Sequence, residues 1–215
     1  MLGLGASVGA RERTLRDALD ALAARLGPLR VGPLVESTPV LRPGSFQDSD
    51  SADHYLNTVA LAHLPSADPD SLRGLLRAVK ALEIAAGRRR AAPDAPRPLD
   101  IDLLIAGDQN LELPAVDARP HGPEYEPTLD RGDGPLVVPH PRLAERLFVL
   151  EPLRAVAPRL LLPLGTTTAA QTVASLHAEV AARLSRAGQI VRRRPWRAPD
   201  LCGAIVGAPE AEPLV

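Results

Sequence analysis

Asp100 and Asp102 stand two residues apart in Leu99-Asp100-Ile101-Asp102-Leu103-Leu104, and Arg97, Arg90, Arg89 and Arg88 precede them behind Gly87. Side chains alternate along a strand, so both carboxylates would share one face, about 6.5 Å apart at Cα, with Leu99, Ile101 and Leu103 turned to the core. Like charges so close repel unless a cation lies between them, and paired hard oxygen donors suit Mg²⁺ completed by water and phosphate oxygens. Arginine forks beside such a pair would hold phosphate oxygens. Phosphoryl chemistry with a divalent metal is the function this pattern points to. The same residues would also suit a solvated basic loop and a polar strand face.

The elements that must position these groups can be read along the chain. Leu2 to Leu4 is the end of a strand running into Gly5-Ala6-Ser7-Val8-Gly9, and Leu15, Ala18, Leu19, Leu22 and Leu26 mark a helix from Arg13 closed by Gly27-Pro28. Leu29 to Val35 is a strand weakened by Gly32-Pro33, followed by a polar surface loop over 42–53. Tyr55 to Leu64 is the next strand, with Leu56, Thr58, Ala60 and Ala62 on one face and Tyr55, Asn57, Val59, Leu61 and His63 on the other. Asn57 is the misfit on its face: its amide either ties down a neighbouring loop or reads the edge of a heterocycle.

Asp68 and Asp70 open a second helix through Leu72, Leu75, Leu76, Val79, Leu82 and Ala86. Glu83 lies in its last turn, where the helix dipole disfavours an anion, so a partner among Arg88, Arg89 and Arg90 is expected. The acidic strand spans Leu99 to Ile105. Residues 108–136 hold seven acids against two arginines without a usable period and are expected to form a surface insertion with no catalytic part for His121 or Tyr125. A helix from Arg142 to Val149 would put Arg142 and Arg146 on one side, with His140 ahead of it. A turn near Glu151, a short strand at Leu160 to Leu164, and a helix capped by Thr168 follow. The tail, with Arg192, Arg193, Arg194 and Arg197 around Trp196, reads as a solvated terminus over 187–215.

Composition narrows the classes. A chain of 215 residues builds one sizeable core, read as a single domain over 1–186. A net charge of −1 gives no general polyanion-binding signature, and Cys202 alone makes neither a disulfide framework nor a cysteine zinc site. Without a leader or an 18-residue apolar run, the expected setting is soluble and cytoplasmic, with no membrane and no nucleic-acid partner, as a monomer. The order β-α-β-β-α-β makes the fold class α+β: a ferredoxin-like antiparallel sheet covered by helices on one side, with extra C-terminal helices.

Gly5 to Gly9, Tyr55-Leu56-Asn57, Glu83 with Gly87-Arg88, Pro96-Arg97-Pro98-Leu99-Asp100-Ile101-Asp102, Val138-Pro139-His140-Pro141 and Arg146-Leu147-Phe148-Val149-Leu150 together resemble the 2-amino-4-hydroxy-6-hydroxymethyldihydropteridine pyrophosphokinase family, over roughly 2–164. The resemblance implies transfer of pyrophosphate from ATP to the hydroxymethyl group of 6-hydroxymethyl-7,8-dihydropterin, releasing AMP, in folate biosynthesis. It implies two Mg²⁺ ions on Asp100 and Asp102. It places Glu83, Arg88, Arg90, Arg97, His140 and Arg146 at ATP, with Arg88, Arg97 and His140 also serving catalysis, and Leu103 at the adenine. Asn57 would read a pterin held between Tyr55 and Phe148, with Ser37, Thr38 and Val40 completing that pocket. The chain departs from the family pattern at Ser7, usually Asn, and Val35, often Tyr. Residues 91–96 also lack the Trp and extra basic residues with which some members close over nucleotide. The short start of the first strand is expected to cost an edge of the sheet. Two other readings compete: a degenerate relative that binds pterin or nucleotide without turnover, and a ferredoxin-like RNA-binding module using the arginines and needing exposed aromatics on the sheet.

Overall fold

The structure, a computed structural model, describes residues 1–38, 54–88, 96–113, 135–162, 170–186 and 191–196. In chain order the elements are β1 (Leu2–Ala6), α1 (Arg11–Leu26), β2 (Leu29–Val31), β3 (Val35–Ser37), β4 (Tyr55–Ala62), α2 (Pro69–Ala85), β5 (Asp100–Leu103), β6 (Leu111–Leu113), β7 (Leu136–Val138), a 3₁₀ turn at Leu143–Glu145, α3 (Leu147–Val156), β8 (Leu161–Leu162), β9 (Gln171–Thr172), α4 (Val173–Arg186) and β10 (Val191–Arg193). The main sheet is antiparallel, in the order β10-β3-β4-β1-β5, with β2 also paired to β4. β1 therefore lies inside the sheet between β4 and β5. The expected loss of an edge does not occur.

Both faces of the sheet are covered. Leu56 and Ala60 of β4 join Leu2, Leu4 and Ile101 under α1 and α2, while Val59 joins Leu150, Leu153, Val173 and Leu176 of α3 and α4 on the other side. One-sided cover was the expectation, and β4 shows why it fails: its alternate residues are apolar on both faces, and each apolar face needs a layer over it.

The strand expected from Leu29 to Val35 is split. Leu29 opposes Ala62 and Val31 opposes Ala60, but Val35 opposes Asn57 and Ser37 opposes Tyr55, so one extra residue enters between β2 and β3. This is a β-bulge at Gly32-Pro33-Leu34. Gly32 N–H still bonds Val59 O at 2.9 Å, and Thr58 Oγ1 donates to Gly32 O at 2.9 Å. A Cβ on Gly32 would stand 2.8 Å from Pro152 O of α3, so the backbone approach there requires glycine.

Three further expectations change. The ends of the acidic insertion pair as the ribbon β6–β7; residues 114–134 lie outside the described residues. Thr172, not Thr168, caps α4, its Oγ1 accepting Ser175 N–H at 3.2 Å, while Thr168 is also outside them. Val191–Arg193, expected in a solvated tail, pair with Val35–Ser37, and Trp196 packs on the α1 side with Arg16 Cζ 5.2 Å from its ring centroid. Val191-Arg192-Arg193 carries little strand signal by itself; the outer edge of β3 supplies its partner.

Candidate active site

The acids lie where the strand alternation puts them. Along β5, Asp100 and Asp102 are partly exposed while Ile101 and Leu103 are buried. Asp100 Oδ1 accepts from Arg97 Nη1 at 2.8 Å and from Arg88 Nη1 at 3.1 Å. Asp102 Oδ2 accepts from Arg146 Nη1 at 2.6 Å, with His140 Nε2 at 3.9 Å. Residues from α2's end, the strand approach, the β7–α3 connection and the position immediately ahead of α3 thus converge on one strand face.

Each arginine is delivered by a specific local structure. Gly87, at φ +90°, closes α2, and Arg88 N–H bonds back to Glu83 O at 3.0 Å. Glu83 itself is buried at 1% exposure, where its carboxylate pairs with Arg88 and with Lys80 at 3.1 Å and accepts Ile101 N–H at 2.7 Å. Burial pushes this carboxyl's pKa up, more than Lys80 and Arg88 draw it down. Glu83, expected at ATP, is thus buried beneath the acid face, where its carboxylate contacts Arg88, Lys80 and the β5 backbone.

Arg97 is fixed by Ser7, whose Oγ accepts Arg97 N–H at 2.8 Å and whose N–H bonds Arg97 O at 2.9 Å. Sequence reasoning marked Ser7 only as a departure from the family pattern. Its signal was a small hydroxyl directly after β1, in a turn that must face the basic loop.

His140 is tied by its N–H to Leu104 O at 2.8 Å, and its Nδ1 accepts Arg142 N–H at 3.1 Å. That bond places the neutral ring's proton on Nε2, toward Asp102. Burial holds His140's pKa below its ordinary value, and Asp102's charge offsets this only in part. Contrary to expectation, Arg142 and Arg146 do not lie on one helix. The 3₁₀ turn separates them, leaving Arg142 beside Glu145 at 3.4 Å, while Arg146 stands immediately ahead of α3 with its Cζ 5.8 Å from the Phe148 ring centroid.

The other half of the site adjoins the acids through the sheet register. Val35, Asn57, Gly5 and Asp100 oppose one another across β3, β4, β1 and β5. Two strand spacings therefore separate Asn57 from Asp100, about 10 Å, with no side chain between them. A Cβ on Gly5 would lie 3.0 Å from Asn57 Oδ1, so this glycine leaves the amide its room. Asn57 Nδ2 donates to Ser37 Oγ at 3.1 Å, and both residues are buried. Tyr55 lies directly opposite Ser37 and is partly buried, as is Phe148. Thr38 follows β3. Val40 and Arg90 lie outside the described residues. Leu103, expected at adenine, puts its side chain into the α1–α2 core at 5% exposure, on the face opposite the acids.

Among the described residues no group of three or more His, Cys, Asp or Glu side chains gathers as a protein-only metal cage. The donor set present is two partly exposed carboxylates on one face, beside cationic groups suited to phosphate. This suits a hard Mg²⁺-type cation whose remaining ligands are phosphate oxygens and water. No helix among the described residues is long and apolar enough to cross a membrane.

Residues 1–158 match the family model described as 7,8-dihydro-6-hydroxymethylpterin-pyrophosphokinase (HPPK). The chain is 34% identical over 164 residues to a 2-amino-4-hydroxy-6-hydroxymethyldihydropteridine pyrophosphokinase of Pseudomonas aeruginosa, covering 76% of this chain and 83% of that one. It is 28% identical over 158 residues to a folate synthesis bifunctional protein of Chlamydia muridarum, covering 73% of this chain but 30% of the relative's length. A crystal structure of HPPK-DHPS in complex with substrates superposes with TM-score 0.59 at 12% identity, covering 86% of this chain and 44% of that one, a likeness of fold.

Proposed function

The chain belongs to the 7,8-dihydro-6-hydroxymethylpterin-pyrophosphokinase family, and from that premise we propose that it transfers the β,γ-pyrophosphoryl group of ATP to the hydroxymethyl oxygen of 6-hydroxymethyl-7,8-dihydropterin, releasing AMP, as a step of folate biosynthesis. The observation that carries this reading is the gathering of Arg88, Arg97, Arg146 and His140 around Asp100 and Asp102 on one face of β5, one glycine away from Asn57.

In this reading Asp100 and Asp102 hold two Mg²⁺ ions. When bound, the ions offset triphosphate charge and lower the barrier to attack at phosphorus. Arg88, Arg97 and Arg146 turn from Asp100 and Asp102 to phosphate oxygens, to which their planar forks are suited, while Arg88 keeps its contact with Glu83. His140, neutral and with its proton on Nε2, donates a hydrogen bond there. Asn57 and Ser37 read the pterin edge, and Phe148 and Tyr55 supply its apolar walls. The alcohol oxygen forms its bond to the β-phosphorus as the bond from that phosphorus to the α,β-bridging oxygen breaks. The bridging oxygen leaves with AMP and the alcohol proton is released. The protein's part is in-line positioning and charge stabilisation. Leu103 enters the adenine site only through its backbone, and Glu83 acts by holding Arg88.

The retained acids, arginines and His140 favour turnover over a degenerate binder. Helices over both sheet faces favour an enzyme over an RNA-binding module of the open-sheet kind. The deciding experiment is Mg²⁺-dependent AMP formation from ATP with and without the pterin alcohol. AMP that appears only with the alcohol is expected; absence of AMP under saturating ATP, pterin and Mg²⁺ would sink the reading.

A further inference from the structure

β10 lies beyond residue 158, where the family match ends, yet it pairs with the strand that holds the Asn57 partner. Val191 opposes Ser37 and Arg193 opposes Val35, with Arg194 N–H bonded to Leu34 O at 2.9 Å. β3 is three residues long, and β10 satisfies the outer edge that β4 leaves bare. The same segment is gripped from α3. Glu151 accepts from Arg193 Nε at 2.7 Å and pairs with His177 of α4, while Arg194 lies 3.6 Å from Glu36 of β3. Glu151 thereby links β10 to the helix whose first turn carries Phe148 and which Arg146 immediately precedes.

We propose that β10 and the residues that follow it, 191–196, form a positioning strap, in which the β10–β3 pairing and the Glu151–Arg193 contact hold Ser37, and through it the Asn57 amide, in register for the pterin. Arg193, Val35, Asn57 and Asp100 occupy one cross-strand row, so a slip of β3 by one residue would turn Ser37 to the opposite face. The strap's work is therefore selective: its pairing acts on β3 in the pterin half of the site, whereas the β5 acids, Arg88 and Arg97 lie on elements that β10 does not pair with. This inference rests on the proposed function for the identity of the ligand.

The test uses the full chain and three variants. Arg192→Pro removes a ladder donor, since Arg192 is the next hydrogen-bonding position before Arg194. Arg193→Ala removes the Glu151 contact by shortening a half-exposed side chain, and Arg193→Lys can restore it. Calorimetry with the pterin alcohol and with a non-hydrolysable ATP analogue plus Mg²⁺ is read beside amide exchange in β3. Arg192→Pro and Arg193→Ala should weaken pterin binding about tenfold, leave ATP-analogue affinity within about twofold, and reduce β3 protection, with Arg193→Lys recovering most of the loss. Unchanged pterin affinity, equal losses for both ligands, or Lys as damaging as Ala would overturn the strap. If Arg192→Pro does not fold, Arg193→Ala against Arg193→Lys decides. If the unmodified chain binds neither ligand, the proposed function fails, and unaltered β3 protection in the variants then overturns the strap separately.

Discussion

Asp100 and Asp102 keep different company, which shapes what their removal should do. Asp100 is shared between Arg88 and Arg97, whereas Asp102 meets Arg146 and His140. The arginines thus offset the mutual repulsion of the acids. Asp100→Ala and Asp102→Ala should each lower AMP release by about 10³-fold or more, while changing stability by no more than about 1 kcal/mol because these pairs are partly exposed. Coupled AMP assays and thermal melts check both halves; near-normal turnover in either variant would remove that acid from the machinery. Asn57→Ala should weaken the pterin more than ATP, since its buried amide, bonded to Ser37, lies in the proposed pterin half of the site. Comparable calorimetric losses for both ligands would place Asn57 in a structural part instead. Asn57 was legible as an anomaly, a polar residue on an apolar strand face, but its Ser37 partner depends on a register change that Gly32-Pro33 marks only as a weak point in the strand.

At the scale of elements, the β2–β3 bulge decides which residues of β3 face the site. Gly32 makes it possible, because α3 crosses so closely that Pro152 O would meet any Cβ at 2.8 Å. Gly32→Ala should therefore cost about 1–3 kcal/mol, measurable by urea denaturation, through displacement of α3 or the bulge. A cost near zero would mean that α3 moves freely and does not fix the bulge. The helices themselves were legible: leucines at three- and four-residue spacing mark α1 and α2, and Pro69 behind Asp68 marks a start, where Asp68 accepts from Asp70 and Ser71 N–H. The α3 region was not. Arg142 to Val149 carries a helical period, yet the chain makes a 3₁₀ turn first, and the reorientation brings Arg146 rather than Arg142 to Asp102.

Across the whole molecule, Glu151 joins α3, α4 and β10, and its titration reports how tightly they are joined. Burial would raise its pKa, but the Arg193 hydrogen bond and charge, with His177 and Arg154, outweigh it and hold the pKa below 4.5. The folded state then binds fewer protons here than the unfolded chain below pH 4.5, so this stabilisation is present above 4.5 and is lost as pH falls through the folded pKa. Glu151→Gln should make stability fall less steeply with acid below pH 4.5, as followed by thermal melts at stepped pH; an unchanged slope would show that Glu151 contributes nothing to acid sensitivity.

The one-dimensional pattern was enough for the alternation that puts two acids on a single face, the helices that cover one side of the sheet, and Arg97 beside Asp100, because those depend on neighbours within a few positions. Tertiary structure alone decided the second helical layer, the register that sets Asn57 beside Gly5 and opposite Ser37's strand, the burial of Glu83 and Leu103 away from the acid face, and the return of residues 191–193 to the sheet edge. Each of these depends on contacts between segments far apart in the chain, whose geometry is set by packing and by the need to satisfy buried backbone groups rather than by local composition.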